Sequence, residues 1–358
     1  MSRFPFPIPY SWYQVAWSDE LPVGGVRPLY YFATDLVLWR DDEGTAHLQD
    51  AICPHLGAHL GHGGHVECCT LQCPFHGWRY DGEGTNVDIP YSSRTNGRAK
   101  LRTYPVVERN GLIMAWYHPD GVEPLFDIPE VPELNDDTRF TPQVHRSFDI
   151  PAAWQEIAEN QVDVAHFRYV HNTDIVPEIA EYSTDGHMAY LRSEQKFPTP
   201  QGTVDGRIDV DTYCPGFGVV RFSGIVDTVL LGCNTPITAE ECQLRFTFTV
   251  RRFDDERFTS AVGDAFVEEV SRQVQEDIPI WKYKGHLQRP ALADTDGPYL
   301  QFRSWASQFY AEGVDYDRAV YPPNRPASAQ PEPEGVHKRT ASARLKGEDT
   351  HGADMALD

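Results

Sequence analysis

The stretch CPHLGAHLGHGGHVECCTLQCPFHGW, residues 53–78, opens with a Cys-x-His pair, Cys53 and His55, and closes with a Cys-x-x-His pair, Cys73 and His76. Thiolates are soft, charge-donating ligands and imidazoles neutral ones, so two of each can hold a two-iron cluster asymmetrically, cysteines on one iron and histidines on the other. Exchanging two thiolates for imidazoles removes negative charge and raises the reduction potential above that of an all-cysteine cluster. A structural zinc site uses the same ligand types, but zinc modules pair C-x-x-C with H-x-x-x-H, whereas each pair here mixes cysteine with histidine. Gly57 and Gly77 permit tight turns that bring backbone amides toward cluster sulfurs. His59, His62, His65, Cys68 and Cys69 fall between the pairs, outside the pattern, and read as ordinary loop residues.

Outward from this stretch, residues 12–117 are short apolar runs broken by the turn signals DDEG, DGEG and ERNG, which describe small antiparallel sheets. Residues 1–118 therefore read as an all-β domain. Residues 119–142, PDGVEPLFDIPEVPELNDDTRFTP, are rich in proline and acid and read as a surface connector. Beyond it, AAWQEIAENQVDVAHFRYVH (residues 152–171) has apolar positions at helical spacing, residues 189–253 are strand-like, and residues 261–284 are helical again. Helix, antiparallel sheet and long helix make residues 143–321 an α+β domain. Residues 322–358 have almost no large apolar side chain and are expected to be disordered.

With 358 residues and 41% hydrophobic content the chain can bury two ordinary cores. A net charge of -22 repels phosphates, which argues against nucleic acid and anionic membrane as partners. No run of eighteen apolar residues occurs, and the proline-rich N-terminus lacks the apolar core of a signal peptide, so a soluble cytoplasmic protein is expected. Seven cysteines at this length suit reduced thiols or metal ligands better than a disulfide scaffold.

A second constellation lies in ENQVDVAHFRYVH, where Asp163 precedes His166 by three residues and His171 follows by five. Five residues on a helix turn about 140° at roughly 100° per residue, so the two histidines share a metal only if the helix ends or bulges between them. Two histidines and one carboxylate leave open positions on a ferrous ion, as in non-haem oxygenases. The carboxylate must come from elsewhere. Asp277, in the late pattern QEDIPIW, is the first candidate and Glu276 the second. Taken alone, the histidines read rather as partly buried packing residues and Asp163 as a helix-surface charge.

The C-x-H, seventeen-residue, C-x-x-H pattern followed by Gly77 and Trp78 resembles the Rieske family, and an acid at Glu159 followed by D-x-x-H-x-x-x-x-H resembles the catalytic half of the Rieske non-haem iron oxygenases. The resemblance implies a helix-grip catalytic domain, a 2Fe-2S cluster, a mononuclear Fe(II) and the use of dioxygen. It implies rings of three subunits in which Asp163 bridges His76 of one subunit to the iron of the next. Asn160 is similar to an asparagine lining the iron site in some members. A ferredoxin reductase, or ferredoxin plus reductase, is also implied, since no flavin or nicotinamide fingerprint is present. ENQVDVAHFRYVH, EDIPIWKYK and DGPYLQFRSW are most similar to the 3-ketosteroid 9α-hydroxylase and cholesterol 7-desaturase groups, which implies a steroid-like substrate; O-demethylating relatives and a pure electron carrier are the alternatives. Candidate pocket residues are Phe217, Val219, Phe222 and Ile225, with Trp281, Phe302 and Trp305 from the later helical segments.

Overall fold

The computed structural model describes residues 3–173, 176–199, 202–224 and 226–311. Ile225 and the expected disordered tail, 322–358, lie outside the described residues. Eleven strands come first: β1 (Ser11–Trp17), β2 (Val26–Tyr31), β3 (Thr34–Arg40), β4 (Ala46–Asp50), β5 (His65–Glu67), β6 (Thr70–Gln72), β7 (Arg79–Tyr80), β8 (Asn86–Asp88), β9 (Thr103–Tyr104), β10 (Val106–Arg109) and β11 (Leu112–Tyr117). They pair antiparallel in three sheets, ordered β1-β11-β10, β2-β3-β4-β9 and β5-β6-β7-β8. The ERNG turn joins β10 to β11 with Asn110 and Gly111 at φ +60° and +76°, the backbone that a two-residue hairpin demands. Between β2 and β3 the same positive φ falls on Phe32 and Ala33, at +57° and +56°. Such backbone is costly for these residues. The turn is held because Phe32 is buried and the two amides donate to the carbonyls of Pro236 and Ile237, at 3.0 and 2.8 Å.

The second half runs β12 (Val144–Ile150), α1 (Trp154–Ala158), α2 (His166–Tyr169), β13 (Glu178–Asp185), β14 (Met188–Thr199), β15 (Gly202–Cys214), β16 (Phe217–Ser223), β17 (Thr228–Thr238), β18 (Glu241–Val250), α3 (Glu256–Tyr283) and α4 (Tyr299–Ala306). Seven of these strands form one antiparallel sheet, ordered β12-β18-β17-β16-β15-β14-β13. Alternation along each strand gives the sheet two apolar faces. On one, Leu230 and Phe248 pack with Val267 of α3, while Leu191 and Leu244 pack with Val274 and Trp281. On the other, Phe217, Val219 and Leu231 pack with Trp12 and Trp116 of the first strands. The fold class is α+β, with a small all-β part and a large antiparallel sheet carrying a long helix.

Two expectations need correction. Residues 152–171 are not one helix: α1 passes into a 3-10 turn (Glu159–Val162), Asp163 is extended, and α2 is a separate short piece. Residues 119–142 do not simply lie on the surface. Ile128 and Val131 are buried, the indoles of Trp12 and Trp116 donate to the carbonyls of Phe126 and Val122 at 2.6 and 2.7 Å, and Asn110 bonds Pro129 and Val131, both at 2.9 Å. Proline and acid describe backbone that cannot pair in a sheet, and such backbone is satisfied here by side chains.

Candidate metal centres

The two short pairs sit on two loops of matching geometry. In one, Cys53 N–H donates to the Ala58 carbonyl at 2.8 Å and Gly57 N–H to the Cys53 carbonyl at 2.9 Å; in the other, Cys73 donates to Trp78 at 2.8 Å and Gly77 to Cys73 at 3.1 Å. Gly57 and Gly77 take φ +78° and +72°, which a side chain would strain. The loops thus present the same ligand positions twice, face to face. Cys53 and Cys73 are buried, while His55 and His76 are half-buried with ring centroids 4.7 Å apart. Nδ1 of His76 is buried with no hydrogen-bond partner among the described residues, as a ring nitrogen kept for a metal would be. The Cys73 thiol beside it brings the Cys53 thiol down to about 5 despite burial, with help from the Tyr80 hydroxyl at 3.2 Å. Cys73 is pushed up by the Cys53 thiolate and by burial. The thiolate is the form that binds metal. The donor set fits a 2Fe-2S cluster.

Trp78 stacks on the His55 ring at 4.3 Å and 8°, and its indole donates to the Tyr91 hydroxyl at 2.7 Å. Among the intervening residues, His59 and His62 pair ring to ring at 4.5 Å, His65 approaches Glu67 at 3.5 Å, and Cys68 and Cys69 are exposed at the β5–β6 turn. None joins a described metal-binding group.

The second constellation assembles through the helix break. With α2 ending at Tyr169 and Val170 as its cap, the chain leaves the helix and His171 lies beside His166 with centroids 5.0 Å apart at 80°. His166, His171 and Asp277 offer ligand atoms within 4.8 Å of one another, a span one ion can bridge with small movements. Each histidine's Nδ1 faces an oxygen: that of His166 meets the Asp163 carbonyl, and that of His171 meets Glu276 Oε2 at 3.1 Å. This leaves both Nε2 atoms for the centre. Asn160 Nδ2 lies 3.2 Å from His166 Nε2 and donates to Asp277 Oδ2 at 3.1 Å. Burial raises the Asp277 carboxyl to about 6, against the lowering pull of His171. Glu276 turns outward instead and is held by Arg272 at 2.5 Å, whose guanidinium also grips Glu269. The half-exposed Asp163 carboxylate lies 3.9 Å from His166 Nδ1.

Glu159 does not face this centre. It is buried against Arg303, which binds both its oxygens at 2.7 and 3.0 Å, with Lys284 at 3.4 Å; Glu156 pairs with His286 at 2.6 Å and Lys284 at 2.8 Å. These charges tie α1 to the end of α3 and to α4. Gly297 presses on this region: a β-carbon there would sit 1.7 Å from the Val162 carbonyl. Beside it a cleft of about 860 Å³ is lined by Val164, Ile179, Tyr182, Pro298, Tyr299 and Leu300 among others. Of the candidate pocket residues, Phe217 and Val219 pack away from α3, Phe222 meets Phe266 of α3 edge-on at 4.9 Å, and Trp281, Phe302 and Trp305 form core with Val162. Sequence reasoning missed a different set. Tyr182 Oη, Gln195 Nε2, Asn234 Oδ1 and Trp305 Nε1 are buried without partners among the described residues. Strand parity puts Tyr182 opposite Leu191, Gln195 four residues beyond Leu191 and Asn234 four beyond Leu230, all on the face toward α3. Such alternation was available in the sequence, but their lack of partners was not.

Sequence profiles match twice: the Rieske [2Fe-2S] domain over residues 11–105 and the 3-ketosteroid 9α-hydroxylase C-terminal domain over residues 115–310. A 3-ketosteroid-9-alpha-monooxygenase oxygenase component of Rhodococcus rhodochrous is 30% identical over 85% of this chain and 84% of its own. A cholesterol 7-desaturase of Bombyx mori is 31% identical over 87% of this chain and 71% of its own. The crystal structure of dicamba monooxygenase bound to dicamba superposes with a TM-score of 0.68 at 21% identity, over 84% of this chain and 96% of that one, a likeness of fold.

Proposed function

The chain belongs to the Rieske non-haem iron oxygenases, in the group that carries the 3-ketosteroid 9α-hydroxylase C-terminal domain, and on that basis we propose that it hydroxylates a 3-ketosteroid. It is an oxidoreductase, the oxygenase component of a multicomponent system, with a 2Fe-2S cluster and a mononuclear iron as cofactors. One oxygen atom enters a C–H bond while the other leaves as water, consuming two electrons and two protons. The iron supplies the oxygen chemistry and the cluster the electrons. We assign Cys53, His55, Cys73 and His76 to the cluster and His166, His171 and Asp277 to the iron. The observation that carries this is the convergence of His166, His171 and Asp277 within 4.8 Å, with both Nδ1 atoms already engaged. Asn160 holds Asp277 toward the centre. A steroid ketone is apolar with few acceptors, and the α3-facing side of the sheet and α4 offer apolar side chains with isolated donors, Gln195 Nε2 from the sheet and Trp305 Nε1 from α4.

Turnover with NADH, a reductase and a panel of 3-ketosteroid, sterol and aromatic ether tests this, reading product mass and dioxygen use together. A ketosteroid product heavier by one oxygen is expected; no product from any ketosteroid would remove the substrate assignment. The likeness to cholesterol 7-desaturase supports a second reading, desaturation, which the loss of two hydrogens would identify.

The assembly read here is a ring of three, with a helix-grip catalytic domain at 143–321, a Rieske domain at 1–118 and the 119–142 strap between them, working in the cytoplasm beside its reductase. Two different apolar patches support the ring: Leu56 and Phe75 flank the cluster histidines, while Tyr169, Ile280, Tyr283 and Leu300 are exposed on the elements of the iron site. Patches that answer each other rather than themselves build head-to-tail rings. Asp163, half-exposed and beside His166, is suited to receive His76 of the neighbouring subunit.

A further inference from the structure

Between Asp88 and Glu108 the sequence carries Arg94, Arg98, Lys100 and Arg102 and no acid, within a chain of net charge -22. Arg102 is occupied, donating to the His118 carbonyl at 2.8 Å and lying over the Tyr104 ring. Arg94, Arg98 and Lys100 are exposed, and among the described residues their side chains meet no acid or hydrogen-bond partner. The loop that displays them is nonetheless well built. Asn96 N–H donates to Asn86 Oδ1 and Arg98 N–H to Asn96 Oδ1, both at 3.0 Å, while Ala99 and Leu101 are buried in the same core as Cys53, Cys73 and Trp78. Next to the cations stands Tyr91, 63% exposed. Its hydroxyl takes the Trp78 indole proton at 2.7 Å, and Trp78 stacks on His55 at 4.3 Å. Two contacts therefore connect this basic surface to a cluster histidine.

We propose that residues 91–100 are the docking site of an acidic one-electron carrier protein, and that electrons enter through Tyr91 and Trp78 at His55. The proposal rests on the reading that Cys53, His55, Cys73 and His76 receive electrons from outside the chain. Charge complementarity selects the occupant. Screening at about 0.1 M salt limits each charge to about 10 Å, so a docked acidic protein feels chiefly the cations of this loop, set against Asp81 and Glu83 of the adjoining β7–β8 turn, while the rest of the acidic surface is damped. Each encounter moves one electron from the carrier, which is oxidised, to the cluster site, which is reduced; no covalent bond forms or breaks.

The test uses the full-length holoprotein and an oxidised, acidic plant-type 2Fe-2S ferredoxin as probe, titrated calorimetrically at about 0.1 M salt. The triple variant R94E/R98E/K100E is expected to bind it about tenfold or more weakly, since steering by a charged patch is worth about that much or more. Its reduction by dithionite and its sedimentation should match the parent, and R257E, a remote exposed charge, should bind ferredoxin normally. Tyr91→Ser should slow cluster reduction at saturating ferredoxin. Unchanged affinity in the triple variant, an equal loss in R257E, or a changed oligomeric state, which would make a second copy of the chain the occupant, overturns the docking site. An unchanged rate in Tyr91→Ser overturns the entry route. Failure of dithionite to reduce the parent's cluster spectrum would instead remove the underlying assignment.

Discussion

Glu276 and Asp277 are neighbours in sequence with different surroundings in space: Asp277 is buried among the two histidines and Asn160, whereas Glu276 reaches the back of His171 and is pinned by Arg272. A carboxylate on the far nitrogen of a metal-binding imidazole fixes its orientation and tautomer, and its loss costs about 10- to 100-fold in metal affinity. Asp277→Ala should therefore empty the mononuclear site, and Glu276→Gln should leave it fillable but about 10- to 100-fold weaker, read as iron content after chelator competition. The reverse order would exchange the roles of the two residues. His171→Ala should keep the cluster's visible spectrum and abolish turnover. Cys53, His55, Cys73 and His76 stood out as candidates because their spacing is local and mixes cysteine with histidine in each pair. Choosing between Glu276 and Asp277 was harder, since adjacent helical residues point about 100° apart and only the rotation of α3 against the sheet decides which faces inward.

The segment 152–171 shows how far periodicity reaches at the scale of elements. Its apolar spacing is helical, yet the two histidines, five residues apart, demanded a break, and the chain supplies one in the turn after α2. The 119–142 strap was legible as neither helix nor strand but not as buried, because its partners, the indoles of Trp12 and Trp116, lie far away in sequence. Long-range ion pairs hide in the same way. Arg303 of α4 meets Glu159 in a buried bidentate pair, and removing one partner of such a pair costs up to about 3–5 kcal/mol, less what Lys284 at 3.4 Å still offsets for Glu159. Arg303→Met should lower stability by about that amount in denaturant titration, and adding Glu159→Gln should recover part of it. Burial alone would raise Glu156, but its bond to His286 and the charge of Lys284 hold it down to about 2. A carboxylate depressed in the fold contributes stability that is complete above its ordinary range and lost as pH falls toward about 2. Glu156→Gln should thus cost stability at pH 7 and progressively less on acidification, and a constant cost would contradict that pairing.

The whole molecule joins two metal centres in one chain without a direct electron route between them being evident from the sequence, which spells out ligands but not distances. Its seven-stranded sheet is shared, one face packing α3 and the other packing the tryptophans of the first strands, so neither half is a loosely tethered module. Sedimentation should find three chains, and a fully active monomer would refute the ring. The apolar side chains left uncovered at Leu56 and Phe75, and at Tyr169, Ile280, Tyr283 and Leu300, carry a further consequence. If each centre is completed by a neighbour, catalysis per chain ceases to be a constant of the chain. It should fall on dilution, recover on concentration, and be rescued in mixtures where a chain lacking only the cluster meets one lacking only the iron.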